Sequence, residues 1–105
     1  MKKLIELNPT AKANNLEIEV YYDIGGMNYF TGQPEQRGYY LRVTPVLMGE
    51  GWRTVTAFTG VCTLLKAVTR KSNKAYEEAC ELAEGKEQEL IEYVLRKNGL
   101  QLREV

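Results

Sequence analysis

The chain contains no histidine, so the side chain that most often serves as general base, nucleophile activator and metal ligand is missing. A Ser-His-Asp or Cys-His site built within the chain is thereby excluded. Cys62 and Cys80 form no Cys-x-x-Cys motif, so neither a thioredoxin-like redox pair nor a zinc ribbon is available. They read as reduced, half-buried hydrophobes. Carboxylates are the remaining candidates for acid-base work: Glu77, Glu81 and Glu84 fall on one helix face at spacings of four and three. The same spacing describes a solvated acidic face opposite a core, which is the reading adopted. Gly49-Glu50-Gly51 before Trp52-Arg53-Thr54 resembles the start of a dinucleotide fingerprint. It lacks the third glycine and the following helix, and fits a hairpin turn instead. The expectation is a protein that is not an enzyme and holds no metal and no cofactor.

Binding chemistry is better represented. Residues 37–71 hold Arg37, Arg42, Arg53, Lys66, Arg70 and Lys71 against the lone acid Glu50, in a chain whose overall net charge is zero. Interleaved with them are Tyr39, Tyr40, Trp52 and Phe58. Cations for phosphates and rings for bases are what single-stranded nucleic-acid binders display on a sheet. Arg42, Arg53, Lys66, Arg70 and Lys71 are the candidate phosphate contacts, and Tyr40 and Trp52 the stacking platforms. No RNP-like motif accompanies them, and a cross-strand pair such as Arg42 with Glu19 would cancel part of the charge. The second candidate is the stretch Ile24 to Arg37, long for a connection between strands, which carries Met27, Tyr29 and Phe30 among glycines. Long connections are often functional and aromatic side chains are favoured anchors. Met27, Tyr29, Phe30, Tyr40 and Trp52 are therefore the candidate protein-contact residues, although Tyr29 and Phe30 could equally fold back to plug one end of the core.

The elements that must position these residues follow from periodicity. Leu16, Ile18, Val20 and Tyr22 alternate with Glu17, Glu19, Tyr21 and Asp23, the period of two of a half-buried strand. Gly38 to Met48 is rich in aromatic and β-branched residues and reads as a second strand, with Pro45 marking a bulge or an edge. Trp52 to Thr59 and Val61 to Val68 read as a third and a fourth strand separated by Gly60. Ser72 or Asn73 caps a helix that ends at Arg96-Lys97-Asn98-Gly99. At 100° per residue Ala75, Tyr76, Ala79, Leu82, Ala83, Leu90, Tyr93 and Val94 share one side, so one face packs on the sheet. Lys86 falls inside that stripe, which predicts a bend near Gly85. Leu100, Leu102 and Val105 alternate enough for a short terminal strand.

At 105 residues the chain affords one core and one domain, with a stability of roughly 5–10 kcal/mol. The divisions expected are an N-terminal arm or edge strand over 1–15, sheet over 16–71, helix over 72–98 and a terminal strand over 99–105. Met1 to Leu7 begins like a signal peptide, but Glu6 and Asn8-Pro9 interrupt it and no cleavage site follows. A cytoplasmic location without membrane contact is expected.

Gly26-Met27-Asn28-Tyr29-Phe30, Arg37-Gly38-Tyr39-Tyr40-Leu41, Val43-Thr44-Pro45-Val46, Thr56-Ala57-Phe58-Thr59-Gly60 and Arg70-Lys71-Ser72 together resemble a set of short proteins encoded on conjugative and phage-like mobile elements of Gram-positive anaerobes. The resemblance spans roughly residues 16–98. It implies a cytoplasmic accessory protein and carries no activity, fold or site residues with it.

The architecture these observations favour is α+β: a four-stranded antiparallel meander with the C-terminal helix packed on one face. The function expected is a binding module acting through protein contact, with single-stranded nucleic-acid binding or a purely structural homo-oligomer as alternatives. One helix leaves the other sheet face with Tyr21, Tyr40, Val46 and either Trp52 and Phe58 or Val55 and Ala57. Such a face predicts a symmetric homodimer.

Overall fold

A computed structural model describes residues 2–7, 13–27, 34–49, 54–56 and 60–101. The chain is α+β, with strands β1 (Lys2–Glu6), β2 (Asn15–Asp23), β3 (Gly26–Met27), β4 (Pro34–Glu35), β5 (Gly38–Met48), β6 (Thr54–Thr56) and β7 (Val61–Ala67) and helix α1 (Asn73–Asn98). The main sheet runs β1, β2, β5, and then β6 and β7 along the far edge of β5, all antiparallel. β3 and β4 form a separate two-stranded ladder inside the long connection between β2 and β5.

This is a four-position antiparallel meander, but its four positions are not filled as the periodicity implied. The segments read as a third and a fourth strand lie end to end against one edge of β5. β6 pairs with Val46 to Met48, and β7 with Gly38 to Val43. The fourth position belongs to β1, which pairs with β2 from Lys2↔Glu19 to Glu6↔Asn15. Gly60 is therefore no turn between neighbours. A Cβ there would meet the Thr44 side chain and lie 2.6 Å from the Val43 carbonyl oxygen. Its bare backbone thus lets the chain join the β5 ladder at Val61, opposite Val43, whereas β6 leaves it at Thr56, opposite Val46. Pro45, with no N–H to offer, sits at that interruption.

Alternation sets the core. Leu16, Ile18 and Val20 of β2 and Tyr39, Leu41 and Val43 of β5 face α1 and are buried with Leu7, Ala13, Ala75, Ala79, Ala83, Ile91, Val94 and Leu95. β5 departs from simple alternation, because Tyr40 and Val46 on its other face are also buried, at 9% and 2% exposure. It lies between β2 and the β6 and β7 segments. Asn14 extends the β2 to β5 ladder with its side chain: its Nδ2 donates to the Met48 carbonyl (3.1 Å) and its Oδ1 accepts from the Met48 N–H (2.8 Å).

The Ser72 hydroxyl caps α1 by accepting from the Ala75 N–H at 3.0 Å. Gly99, in the left-handed region at φ 68°, closes the helix as its N–H and that of Leu100 turn back to Arg96 and Leu95. α1 runs without interruption through Gly85, so the expected break is not there, and Lys86 is exposed all the same. The buried row follows i, i+4 steps through Ala75, Ala79 and Ala83 to Ile91 and Leu95. Such a row drifts about 40° per step around the axis. Lys86 thus falls off it without a bend, and Leu82 and Tyr93, expected on the core side, are exposed. A Cβ at Gly85 meets nothing within 4 Å. Gly85→Ala is accordingly expected to raise stability by about 0.5–1 kcal/mol in urea unfolding. Leu100 and Gln101 are not in a strand, and the rest of the expected terminal strand lies outside the described residues. Among the described residues no helix is long and apolar enough to cross a membrane.

Candidate functional site

The helix-free face of the sheet is built from the residues that alternation turns away from α1. At its centre the β2 to β5 register sets Tyr21 opposite Tyr40 and Glu19 opposite Arg42. The two rings stack with centroids 5.8 Å apart and planes 27° apart. The Tyr40 hydroxyl donates to the Gln36 carbonyl at 2.6 Å, which fixes the ring from its far end. Arg42 lies over the Tyr21 ring, 4.7 Å from its centroid, and forms an ion pair with Glu19. A guanidinium held between a ring face and a carboxylate is stiffer than a solvated arginine, and the Arg42–Glu19 pair carries no net charge. β7 continues the face with Leu64 opposite Tyr40 and the exposed Cys62 opposite Arg42. β1 adds Leu4 opposite Glu17.

The described basic residues singled out from the sequence do not all share this face. Arg42 belongs to it. Lys66 does not, because the register of β5 and β7 shifts between Tyr39 and Tyr40, so that Leu64 pairs with Tyr40 but Lys66 with Tyr39. The surplus residue, Leu65, is a bulge, and it turns Lys66 to the helix side, where its ammonium pairs with Glu78. Lys71 lies 5.4 Å from the Tyr22 ring centroid, and Arg70 is exposed in the connection to α1. Arg37 donates through Nε to the Ile24 carbonyl at 3.0 Å, closing the base of the β3 and β4 excursion. Arg53 and Trp52 lie outside the described residues, as do Tyr29 and Phe30 between β3 and β4. Met27 is placed by its backbone, in the β3 ladder opposite Pro34.

Three tyrosines outside the candidate contact residues, Tyr22, Tyr39 and Tyr76, do structural work. Tyr39 packs edge-on against Tyr22 (5.3 Å) and tilted against Tyr76 (5.9 Å). Its hydroxyl accepts from the Ser72 N–H and donates to the Ser72 carbonyl, both at 3.3 Å. Tyr22 reaches the Thr69 carbonyl at 3.5 Å. This cluster anchors the start of α1 to the sheet and thereby decides which face stays open. The alternation of Tyr21 with Tyr22 and of Tyr39 with Tyr40 was the available signal: one of each pair had to face the helix.

Lys66 also leaves a titration signature. Its hydrogen bond to Glu78, reinforced by its charge, lowers the Glu78 carboxyl below the ordinary glutamate value, with Lys74 contributing less. A carboxyl lowered in the folded state contributes stability above its unfolded value, and that contribution disappears as pH falls through the folded value. The Lys66→Met protein is expected to show the Glu78 midpoint moved upward in a side-chain NMR titration. Both side chains are partly exposed, so salt should shrink the difference.

Among the described residues no group of three or more Cys, Asp and Glu is placed to hold a metal ion. Glu77, Glu81 and Glu84 are exposed. What the helix-free face offers chemically is a rigid tyrosine stack, an aliphatic margin and an internally balanced ion pair. No protein-family model, curated protein or solved structure matches the chain.

Proposed function

We propose that the chain is a non-enzymatic accessory module that acts through protein–protein contact, and that the helix-free face around Tyr21, Tyr40 and Arg42 is the contact surface. The observation that carries this reading is the Arg42 guanidinium held at once by the Tyr21 ring and the Glu19 carboxylate. Tyr and Arg are the residues in which contact energy concentrates at protein interfaces. Holding them in place beforehand lowers the ordering cost of association. A mobile-element setting in the cytoplasm rests on the sequence strings quoted above.

A polyanion is the weaker fit. Arg42 faces Glu19 and Lys66 faces Glu78, so two of the five cations proposed for phosphate contact are already matched by carboxylates. A photo-reactive phenylalanine analogue in place of Tyr21 should yield cellular adducts heavier than a dimer of the chain, and the same analogue in place of the exposed Glu81 should not. Fluorescence titration with single-stranded oligonucleotides should show no binding even at low salt. Equal adducts from both positions would overturn the reading. So would oligonucleotide binding that weakens steeply with salt and is lost in Arg42→Ala, and that result would install nucleic acid as the ligand.

A further inference from the structure

We propose that β1 is the seam of a homodimer in which two copies pair edge to edge, antiparallel about Leu4, into one continuous sheet. The inference does not rest on the contact proposed for the helix-free face. Among the described residues β1 pairs only with β2 and forms one edge of the sheet. The Leu7 N–H donates to the Asn14 carbonyl on the β2 side. Backbone polar groups alternate sides along an antiparallel strand, so Lys3 and Ile5 also address β2, whereas Lys2, Leu4 and Glu6 direct N–H and C=O to the open edge. Among the described residues Leu4 is the one large apolar side chain within a strand that is exposed, at 38%.

A two-fold axis normal to the sheet at Leu4 sets Leu4 against Leu4 of the second copy, and Lys2 against Glu6 in both directions. All three outward-directed residues then fall in hydrogen-bonded pairs, and opposite charges meet at both ends. A shift of two residues shortens the overlap and sets a charged residue against Leu4. Parallel pairing in register sets lysine against lysine. Charged residues on a short edge strand normally discourage pairing. Here the same charges reject other registers and admit this one, which is how specificity is obtained by repulsion. Glu6 already has a partner in its own chain, and a carboxylate has lone pairs enough for a second donor. The axis keeps both helices on one side of the joined sheet. It sets the two Tyr21–Tyr40 faces side by side on the other, with their β2 strands roughly 14 Å apart, so a repetitive partner would be gripped twice.

Light scattering coupled to size exclusion, on the full chain between about 10 and 200 μM, should show a concentration-dependent dimer. Lys2→Glu alone and Glu6→Lys alone should each weaken it about tenfold, because two attractive cross-strand pairs become repulsive. An equimolar mixture of the two variants should restore it, since glutamates of one copy then face lysines of the other. Leu4→Lys should be monomeric, with unchanged circular dichroism showing that it folds. A wild-type monomer at 200 μM would overturn the proposal. A dimer indifferent to all three substitutions would overturn it too and would move the interface to the sheet face.

Discussion

Replacing Leu41 with alanine is expected to cost about 3–4 kcal/mol, the largest loss from any single truncation in this core. Leu41 is fully buried and stands at the middle of β5, opposite Val20 on one side and Thr63 on the other. α1 packs over the same strand. A cavity there is bounded by backbone on two sides and by a helix above, so its walls can relax little, and the cost includes the void as well as the lost transfer energy. For a domain of this size the change amounts to a melting temperature lower by roughly 15–20 °C. Leu7→Ala is the comparison. Leu7 is as deeply buried but lies just beyond the end of the edge strand β1, where the chain can close in, so a smaller loss of about 2 kcal/mol is expected. Equal losses in urea unfolding would mean that β5 is not the rigid centre of the domain.

The central place of β5 was only partly legible beforehand. Period-two alternation in residues 16–23 and the capped helix over 73–98 are local signals, and both elements stand where such signals put them. The helix caps were readable for the same reason, to within Ser72 or Asn73 at the start and Asn98-Gly99 at the end; Ser72 and Gly99 fill them. What local pattern does not encode is which edge a strand takes. Val61 to Ala67 has the composition of an independent strand, yet it continues the line of Thr54 to Thr56 along β5. The offset in register between β6 and β7, and the closeness at Gly60, become visible only once the partner strand is known. β1, expected as an arm or an edge strand, takes the edge position, and that choice was open for a related reason: five residues with two lysines and a glutamate carry little strand signal until the β2 edge offers them a ladder.

The charge pattern failed at one residue in particular. Counting basic side chains along 37–71 treats the segment as one surface, and strict alternation would have put Lys66 on the same face as Arg42, Cys62 and Leu64. The bulge at Leu65 reverses the parity for everything after it, so Lys66 answers Glu78 on α1 instead. Arg42 precedes the bulge, and its pairing with Glu19 follows directly from a register that the sequence alternation already favoured. The tyrosines divide in the same manner. Tyr21 and Tyr40 remain on the open face, whereas Tyr22 and Tyr39 are drawn under the helix with Tyr76. Among the described residues, the basic and aromatic side chains of this segment are thus divided between the two faces of the sheet.

Gly38→Ala is the second large effect expected, a loss of about 2–3 kcal/mol with a melting temperature lower by 10 °C or more. Gly38 opens β5 opposite Ala67, and a Cβ at this position would collide with the Lys66 carbonyl oxygen and stand 2.9 Å from the Ala67 Cα. Both neighbours are backbone, so no side chain can turn aside, and relief requires β7 to move away from β5. That movement strains what the close approach supports. The Val68 N–H donates to the Arg37 carbonyl at 3.1 Å just beyond the pair, and Lys66 holds Glu78 of α1 from the same turn of chain. Amide hydrogen exchange at Val68 should therefore accelerate in Gly38→Ala more than exchange at Ile18, which lies on the opposite side of β5. Gly49→Ala is the control, since a Cβ there meets nothing within 4 Å, and it should change stability by no more than about 0.5 kcal/mol. If the two alanine variants unfold at the same urea concentration, β7 does not approach β5 this closely at Gly38.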